Sequence, residues 1–309
     1  MKTVLITGGA GFIGSHIADK MLEKNYHVRI YDNLSTGKIE NIAHIKAHIE
    51  FIEADIRDVK TLEQSMIGCE LVFHKAAEVS VPRTIRSPIE TTMINDVGTL
   101  NVFESARKSN VARVVFASSC AIYGDSPELP KHEQMLPQPK SPYAAQKMMG
   151  EYYARIYDDI YQLETVCLRY FNVYGPRQDP SSPYSGVISI FLTKAIAGQQ
   201  PTIYGDGNQT RDFVYVKDVV NANILAATQP SVNGKVFNIG TGQTRTINEL
   251  WQTICHEANI DIAAKYKQAR DGDILASSGD IQLAERVLKY IPEYLFNQGL
   301  KETLAWYRH

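Results

Sequence analysis

Short apolar runs alternate with amphipathic stretches through the first half of the chain. TVLIT, HVRIYD, IEFIEAD, LVFHKAA, RVVFASS and ETVCLRYFN are rich in β-branched residues, which is typical of strands. Between such runs, SHIADKMLEKN and TLEQSMIG carry apolar residues at helical spacing. Since strands this apolar are usually buried on both faces of a parallel sheet, the pattern predicts an α/β fold with a doubly wound parallel sheet.

The pattern changes after Asn172. Loops rich in Gly, Pro, Ser and Asp appear in VYGPRQDPSSPYSG and YGDGNQTRD, between segments that again favour helix or strand. We therefore expect a second, smaller α/β lobe beside a Rossmann domain. The predicted domain limits are 1–172 with about 212–239 for the Rossmann domain, and about 173–211 with 240–309 for the smaller lobe.

Composition narrows the function classes. The chain has 309 residues, 44% of them hydrophobic and 21% charged, with a net charge of -2, so nothing predicts electrostatic capture of nucleic acid or an anionic membrane. The four cysteines are scattered without CxxC spacing, which argues against a disulfide framework or a zinc site. No apolar run approaches the roughly 20 residues of a membrane span, so we expect a cytoplasmic protein without a metal.

A glycine-rich loop follows the first predicted strand. ITGGAGFIGSH places Gly8, Gly11 and Gly14 at the start of the first helix, and Asp32 ends the second strand eighteen residues after Gly14. A glycine triplet alone can occur by chance, but strand, triplet, helix and acid in this order favour dinucleotide binding. Because an acid at this place repels a 2′-phosphate, NAD is expected rather than NADP.

A tyrosine and a lysine stand four residues apart in SPYAAQK. Pro142 suits the first turn of a helix, so Tyr143 and Lys147 should share one face. The ammonium, together with a positive nicotinamide ring, would lower the pKa of the phenol and make it a base. Ser118 and Ser119 end the preceding strand, where a hydroxyl can bond a reacting alcohol, although for the serines alone a satisfied loop hydroxyl is the favoured interpretation.

Six motifs in order resemble the extended short-chain dehydrogenase/reductase family: TGGAGFIG, YDNLSTG, SSCAIYG, SPYAAQK, LRYFNVYGPRQ and GDGNQTRDFVYVKDV. Within that family, the chain is most similar to UDP-hexose 4-epimerases. The resemblance implies a retained NAD, with Tyr143 as base and acid, Lys147 as its partner and ribose ligand, and Ser119 bonded to the 4-oxygen of the sugar.

The resemblance also implies a set of cofactor contacts. Asp55 and Ile56 would line the adenine pocket, although a strand-end turn explains them equally well, and Lys75 stands where the family usually has an apolar residue. The full expected set is Gly8, Gly11, Phe12, Ile13, Gly14, Asp32, Asn33, Ser35, Thr36, Gly37, Asp55, Ile56, Lys75, Ala76, Ala77, Asn95, Ser118, Tyr143, Lys147 and Tyr170.

The chain lacks the catalytic residues of two related reactions. Nucleotide-sugar 4,6-dehydratases follow the serine or threonine with an acid pair, and UDP-glucuronate decarboxylases keep a glutamate in the second of those places. Here Cys120 and Ala121 stand there. Epimerisation is therefore the expected reaction. The alternatives are another nucleotide-sugar oxidoreductase of the family that releases its cofactor and, in a different class, a non-catalytic NAD-binding sensor.

A UDP-sugar site is implied by the same resemblance. Arg211 and Arg270 would face the diphosphate, and Ser277 stands at the position where a tyrosine restricts some epimerases to plain hexoses, so a serine should admit an N-acetyl group. Taken singly, Arg211 and Arg270 are also typical of a protein surface, and Ser277 is also typical of a loop. The full expected set is Ser80, Ser119, Tyr143, Asn172, Tyr204, Arg211, Arg270, Asp273 and Ser277.

A homodimer is the last implication of the resemblance. The expected interface combines the helix of NDVGTLNVFESARKS with the helix that carries Tyr143. Sequence periodicity alone does not indicate this association.

Overall fold

The computed structural model describes residues 2–180, 186–269 and 275–308. Its strands are β1 (Thr3–Thr7), β2 (His27–Asp32), β3 (Ile49–Glu53), β4 (Cys69–His74), β5 (Arg113–Ser119), β6 (Glu164–Tyr170), β7 (Asn172–Tyr174), β8 (Thr202–Tyr204), β9 (Thr210–Arg211), β10 (Phe213–Tyr215), β11 (Lys235–Ile239), β12 (Arg245–Thr246) and β13 (Lys265–Lys267). Its α-helices are α1 (Phe12–Glu23), α2 (Val59–Met66), α3 (Val81–Arg86), α4 (Pro88–Thr92), α5 (Gly98–Lys108), α6 (Pro142–Tyr161), α7 (Val187–Ile196), α8 (Val216–Thr228), α9 (Ile247–Ala258) and α10 (Phe296–Tyr307).

A seven-stranded sheet forms the centre of the molecule. Its strand order is β11-β6-β5-β4-β1-β2-β3, and every neighbouring pair is parallel. The chain order reverses between β1 and β4, which leaves a crevice beyond the carboxyl ends of these two strands. The predicted doubly wound sheet is confirmed.

Helices cover both faces of this sheet. Alternate residues of a strand point to opposite faces, so Leu5 and Ile6 of β1 belong to two different apolar clusters. The cluster around Ile6 includes buried residues of α1 and α8. The cluster around Leu5 includes residues of α2, α5 and α6. Burial on both faces explains why these strands are apolar at successive positions.

A third apolar cluster lies in the later part of the chain. Phe191 of α7 packs edge-on against Trp251 of α9, with ring centroids 5.6 Å apart, and Leu304 of α10 belongs to the same cluster. Three two-stranded sheets accompany it, β10-β7, β12-β9 and β13-β8. Most of these elements lie in the range predicted for the smaller lobe, but β7 and β10 lie at or within the limits predicted for the Rossmann domain. The division into two domains stays a prediction.

Two features of the fold were not part of the sequence pattern. The short helices α3 and α4 follow the end of β4, and a π turn at Met93–Val97 leads into α5. Across the described ranges, none of the helices is long and apolar enough to cross a membrane.

Candidate active site

A cavity of about 820 Å³ occupies the crevice beyond β1 and β4. Its size is within the usual range for a small-molecule site. The cavity wall contains these expected cofactor residues: Gly8, Gly11, Phe12, Ile13, Gly14, Asp32, Asn33, Ser35, Thr36, Asp55, Ile56, Lys75, Ala76, Ala77, Ser118, Tyr143, Lys147 and Tyr170. Gly37 and Asn95 are not among the residues of the wall.

The glycine loop leaves the amino end of α1 open. Gly11 caps the helix without a side-chain hydrogen bond, and the first turn holds no acidic residue. Gly8 has a φ of +67°, and a Cβ added there would lie 2.6 Å from the backbone nitrogen of Ala76. Because the first backbone N–H groups of a helix have no intrahelical acceptor and carry positive dipole charge, this end suits a pyrophosphate.

Asp32 is held at the end of β2 by backbone donors. Its two carboxylate oxygens accept hydrogen bonds from the amides of Ala10, at 2.9 Å, and Leu34, at 2.8 Å. A Cβ on Gly37 would lie 2.8 Å from the same carboxylate. Gly37 therefore supports the cofactor site from behind Asp32, which accounts for its absence from the cavity wall.

The third strand contributes an ion pair at the same end of the cavity. The Asp55 carboxylate accepts two hydrogen bonds from the Arg57 guanidinium, both at 2.8 Å, and a third from the Asn33 amide. The Arg57 contact lowers the pKa of Asp55 to about 2, so this carboxylate stays charged at neutral pH. Its oxygens are largely engaged by protein donors.

Several wall residues carried no sequence signal. Lys38 and Asp179 approach within 3.1 Å, and Arg177 binds Asp19 of α1 at 2.8 Å. Because the two residues of each pair are far apart in the chain, only the fold brings them together. The charged wall residues that we did not predict are Lys38, Arg57, Glu78, Arg83, Glu90, Arg177 and Asp179.

The tyrosine and lysine lie at the start of α6. Ser141 caps this helix by accepting a hydrogen bond from the Ala144 amide at 3.2 Å, and Pro142 occupies the first turn. The Lys147 ammonium is 5.8 Å from the centroid of the Tyr143 ring and donates a hydrogen bond to the Ala117 carbonyl at 2.8 Å. The two side chains converge on one face, as the spacing predicted.

Burial dominates the proton affinities of this pair. It raises the pKa of Tyr143 to about 12, against a smaller opposing effect of the Ser119 hydroxyl. It also lowers the pKa of Lys147 to about 8. The expected lowering of the phenol pKa is therefore not produced by Lys147 in this structure. The other charge on which that expectation depends is the positive nicotinamide ring.

Ser118, Ser119 and Asn95 have different surroundings. Ser118 is buried and donates its hydroxyl hydrogen to Glu151, whereas the Ser119 hydroxyl accepts a hydrogen bond from the Ala121 amide at 3.2 Å and lines the cavity with Tyr143. The Asn95 amide is buried and hydrogen-bonds both the backbone of Glu78 and the side chain of Gln146. Asn95 thus braces the loop after β4 without facing the cavity.

The expected substrate residues occupy more than one region. Ser80 lines the cavity, where it also caps α3 by accepting a hydrogen bond from the Arg83 amide. Asn172 lies next to the wall residue Phe171 but donates its side-chain amide to the Asp212 carbonyl at 3.0 Å. Tyr204 ends β8, and the Gln209 side chain donates to its carbonyl at 2.8 Å.

Arg211 and Ser277 are close together. The Ser277 amide donates to the Thr210 carbonyl at 3.1 Å, which places this serine beside β9. Burial, with the nearby charge of Asp212, raises the pKa of the Cys120 thiol to about 12, and the charge of Arg211 opposes this rise. Arg211 is therefore within electrostatic range of the residue that follows Ser119. Arg270 and Asp273 lie outside the described residues.

Known proteins are similar to the chain over nearly its whole length. It is 44% identical over 309 residues to a putative UDP-glucose 4-epimerase of Methanocaldococcus jannaschii, with 99% of this chain and 98% of the relative covered. It is 38% identical to a UDP-glucose 4-epimerase of Mycolicibacterium smegmatis, with 100% of this chain and 99% of the relative covered. A UDP-N-acetyl-alpha-D-glucosaminuronate decarboxylase of Bacillus cytotoxicus is 34% identical over 318 residues, which cover 99% of this chain and 98% of the relative.

Two solved structures agree with the fold. A UDP-N-acetylglucosamine 4-epimerase from Methanobrevibacter ruminantium, in complex with UDP-N-acetylmuramic acid, has a TM-score of 0.95 at 40% identity and covers 99% of this chain and 98% of its own. A UDP-glucose 4-epimerase from Thermus thermophilus, in complex with NAD, has a TM-score of 0.89 at 37% identity and covers 99% of both chains.

The family model with the description "NAD dependent epimerase/dehydratase family" matches residues 4–240. That range contains the glycine loop, Asp32, Ser119 and the Tyr143–Lys147 pair. Together with the open helix terminus and the cavity beyond β1 and β4, the match shows that the chain belongs to the NAD-dependent epimerase/dehydratase family.

Proposed function

We propose that the chain catalyses the C4 epimerisation of a UDP-hexose, with UDP-GlcNAc/UDP-GalNAc as well as UDP-glucose/UDP-galactose as substrates. The observation that carries the proposal is the placement of Ser119 and Tyr143 on the wall of the same cavity, where the Ser119 hydroxyl lowers the pKa of the Tyr143 phenol. This pair can hold a sugar hydroxyl by accepting from it and donating to it, while Lys147 lies one helical turn away.

Proton transfer is the task of Tyr143. In the first half of the reaction its phenolate takes the proton of the 4-hydroxyl, and in the second half the phenol returns a proton to the 4-oxygen. Bound NAD would supply a reversible acceptor for the hydride of C4, which would leave a 4-keto sugar to be reduced again from its other face. The oxidation and the reduction cancel, and no net cofactor is consumed.

Elimination and decarboxylation lack an acid or base beside Ser119. Cys120 stands where dehydratases place a carboxylic acid, and burial raises its pKa to about 12, so the thiol is protonated at neutral pH. Ala121 has no titratable group. This difference supports epimerisation over the decarboxylase reaction of the Bacillus relative.

The substrate range rests on Ser277. Its amide is fixed to Thr210, the neighbour of Arg211, so we propose that it lies near the sugar when Arg211 binds the diphosphate. A serine at this place leaves more room beside the 2-substituent than a tyrosine would, which favours acceptance of an N-acetyl group. The relation of one solved neighbour to UDP-GlcNAc is consistent with this range.

Cofactor retention separates the proposal from a reductase that releases its cofactor. The purified protein, heated to release small molecules, should yield NAD in near-stoichiometric amount and should turn over UDP-sugar without added cofactor. Stoichiometric consumption of added NADH with a carbonyl substrate, by protein that contains no NAD, would contradict the proposal. An NAD-binding sensor would retain NAD and convert no sugar.

We also propose a homodimer through α6 and the segment around α5. Met149, Tyr152, Ile156 and Ile160 are exposed along α6, and their spacing of three or four residues places them on one stripe of the helix. Met93 and Val97, just before α5, are exposed as well. An apolar stripe of this kind is typical of a helix-to-helix interface.

A further inference from the structure

Lys75 is a lysine in the wall of the NAD cavity with no role in the proposed reaction. It follows β4 directly, and its ammonium donates hydrogen bonds to the Tyr170 hydroxyl, at 3.0 Å, and to the Val115 carbonyl, at 3.3 Å. The Tyr170 hydroxyl in turn donates to Asn223 of α8 at 3.0 Å. The side chain is therefore anchored by two hydrogen bonds and cannot swing freely into solvent.

The ammonium lies close to that of Lys147. Lys147 donates to the carbonyl of Ala117, two residues beyond Val115 on β5, and carbonyls two residues apart on a strand are separated by about 6.6 Å. Both lysines line the same cavity, together with Tyr143. Two ammonium groups therefore bond carbonyls near the carboxyl end of β5.

Burial lowers the pKa of Lys75 well below its ordinary value, and the charge of Lys147 lowers it further. In the part of the chain that is described, Lys147 and Cys167 are the charged or titratable groups that shift it, and no carboxylate is among them. The other titratable groups that face it are His74, whose pKa burial also lowers well below its ordinary value, and Tyr170, whose pKa burial raises.

We propose that Lys75 is a charge-tuning residue of the cofactor site: when it is protonated, its ammonium, beside that of Lys147, weakens binding of oxidised NAD relative to reduced NAD and so makes the bound cofactor a readier hydride acceptor. The reason is electrostatic, because the nicotinamide ring is positive when oxidised and neutral when reduced. A nearby cation destabilises only the oxidised form.

The inference rests on the family's NAD site and not on the identity of the sugar. Its test is the equilibrium partition of bound cofactor. Holoenzyme is exchanged against mixtures of NAD and NADH of known ratio until the bound ratio is constant, and the bound ratio divided by the free ratio gives the relative affinity. No sugar is present, so failure of the epimerase proposal would leave this measurement interpretable.

Three substitutions at Lys75 are compared with one control. Lys75→Met removes the charge, Lys75→Gln removes the charge but keeps a hydrogen-bond donor, and Lys75→Arg keeps the charge. The control is Lys20→Met, which removes an exposed lysine that pairs with Glu23 at 2.7 Å and lies outside the cavity wall. Thermal melting shows whether each variant is folded, and NAD content shows whether it has bound cofactor. If Lys75→Met fails to fold, the NAD/NADH partition of Lys75→Gln tests the inference.

In acidic buffer, where Lys75 is protonated, the ratio of bound NAD to bound NADH should be about tenfold higher in the neutral variants than in the parent. A tenfold change is at the lower end of the effect that a nearby unit charge has on an equilibrium. Lys75→Arg and Lys20→Met should behave as the parent. The difference between parent and neutral variants should shrink as pH rises through the pKa of Lys75. An unchanged partition in folded, NAD-loaded Lys75→Gln at every pH would overturn the inference, as would a shift toward NADH.

Discussion

The ammonium of Lys147 donates its hydrogen bond to the Ala117 carbonyl at 2.8 Å and lies 5.8 Å from the centroid of the Tyr143 ring. Lys147 is thus fixed to the sheet rather than to the phenol oxygen. In this arrangement burial raises the pKa of Tyr143 to about 12, and the base is protonated at neutral pH. Activation of Tyr143 therefore requires a further positive charge, which oxidised NAD would bring.

This relationship predicts that NAD lowers the pKa of Tyr143. Below its pKa the phenol cannot accept the sugar proton, so the working pH range should extend downward when oxidised NAD is bound. Ultraviolet difference titration of tyrosinate, on stripped and on NAD-loaded protein, measures the shift, and Tyr143→Phe identifies which signal belongs to this residue. Equal titration curves in both states would contradict the account.

Ser277→Tyr should remove most activity toward N-acetylated UDP-hexoses and spare activity toward UDP-glucose, because a ring would fill the space beside the 2-substituent. The readout is kcat/KM for each sugar. Ser278→Tyr is the matched control, since it adds the same ring one position along the same segment, where the Ser278 carbonyl accepts a hydrogen bond from the Lys131 amide. Equal losses for both sugars in Ser277→Tyr would show that this serine does not select the substrate.

Gly37→Ala should weaken NAD binding about tenfold, a loss of roughly 1.4 kcal/mol. The added Cβ would lie 2.8 Å from the Asp32 carboxylate, which must then move from the place where it is held by Ala10 and Leu34. NAD content after gel filtration and the NAD dissociation constant are the measurements. Gly186→Ala serves as control, because the atom nearest to its added Cβ is a side-chain nitrogen of Gln178 at 3.8 Å. Equal NAD affinity in the two variants would show that Gly37 does not support NAD binding through Asp32.

Ile156→Glu should convert a dimer into monomers, because it places a charge in the middle of the apolar stripe on α6. Light scattering coupled to size-exclusion chromatography gives the mass. Arg155→Glu adds the same side chain at the adjacent exposed position, where the arginine pairs with Asp159 at 3.5 Å, and should leave the dimer intact. A parent protein that is already monomeric at high concentration would refute the proposed association.

Much of the fold could be predicted from local pattern. The strands of the central sheet are apolar because both of their faces are buried, and Ser141 with Pro142 begins α6 where the sequence indicates it. The glycine loop was predictable because Gly8 and Gly11 leave the backbone open to an anion.

Other parts of the site depend on contacts distant in sequence. The Lys38–Asp179 pair forms only when the loop after β2 meets the loop after β7. Local pattern likewise could not show that Ser118 is bonded to Glu151, a residue of the helix that carries Tyr143. The expected phenolate depended on two positive charges, the Lys147 ammonium and the nicotinamide ring, and only the ammonium belongs to the chain.

The most direct test of the central claim is conversion of sugar without added cofactor by the parent protein and by Tyr143→Phe. The anomeric proton signals of UDP-GlcNAc and, in parallel, UDP-glucose are followed by NMR until they stop changing. The account predicts that the parent converts both sugars to their C4 epimers and that Tyr143→Phe, with its NAD retained, is slower by about 10²- to 10⁴-fold. Equal rates in the two proteins would contradict the role of Tyr143, and no conversion by NAD-loaded parent would contradict the UDP-hexose assignment.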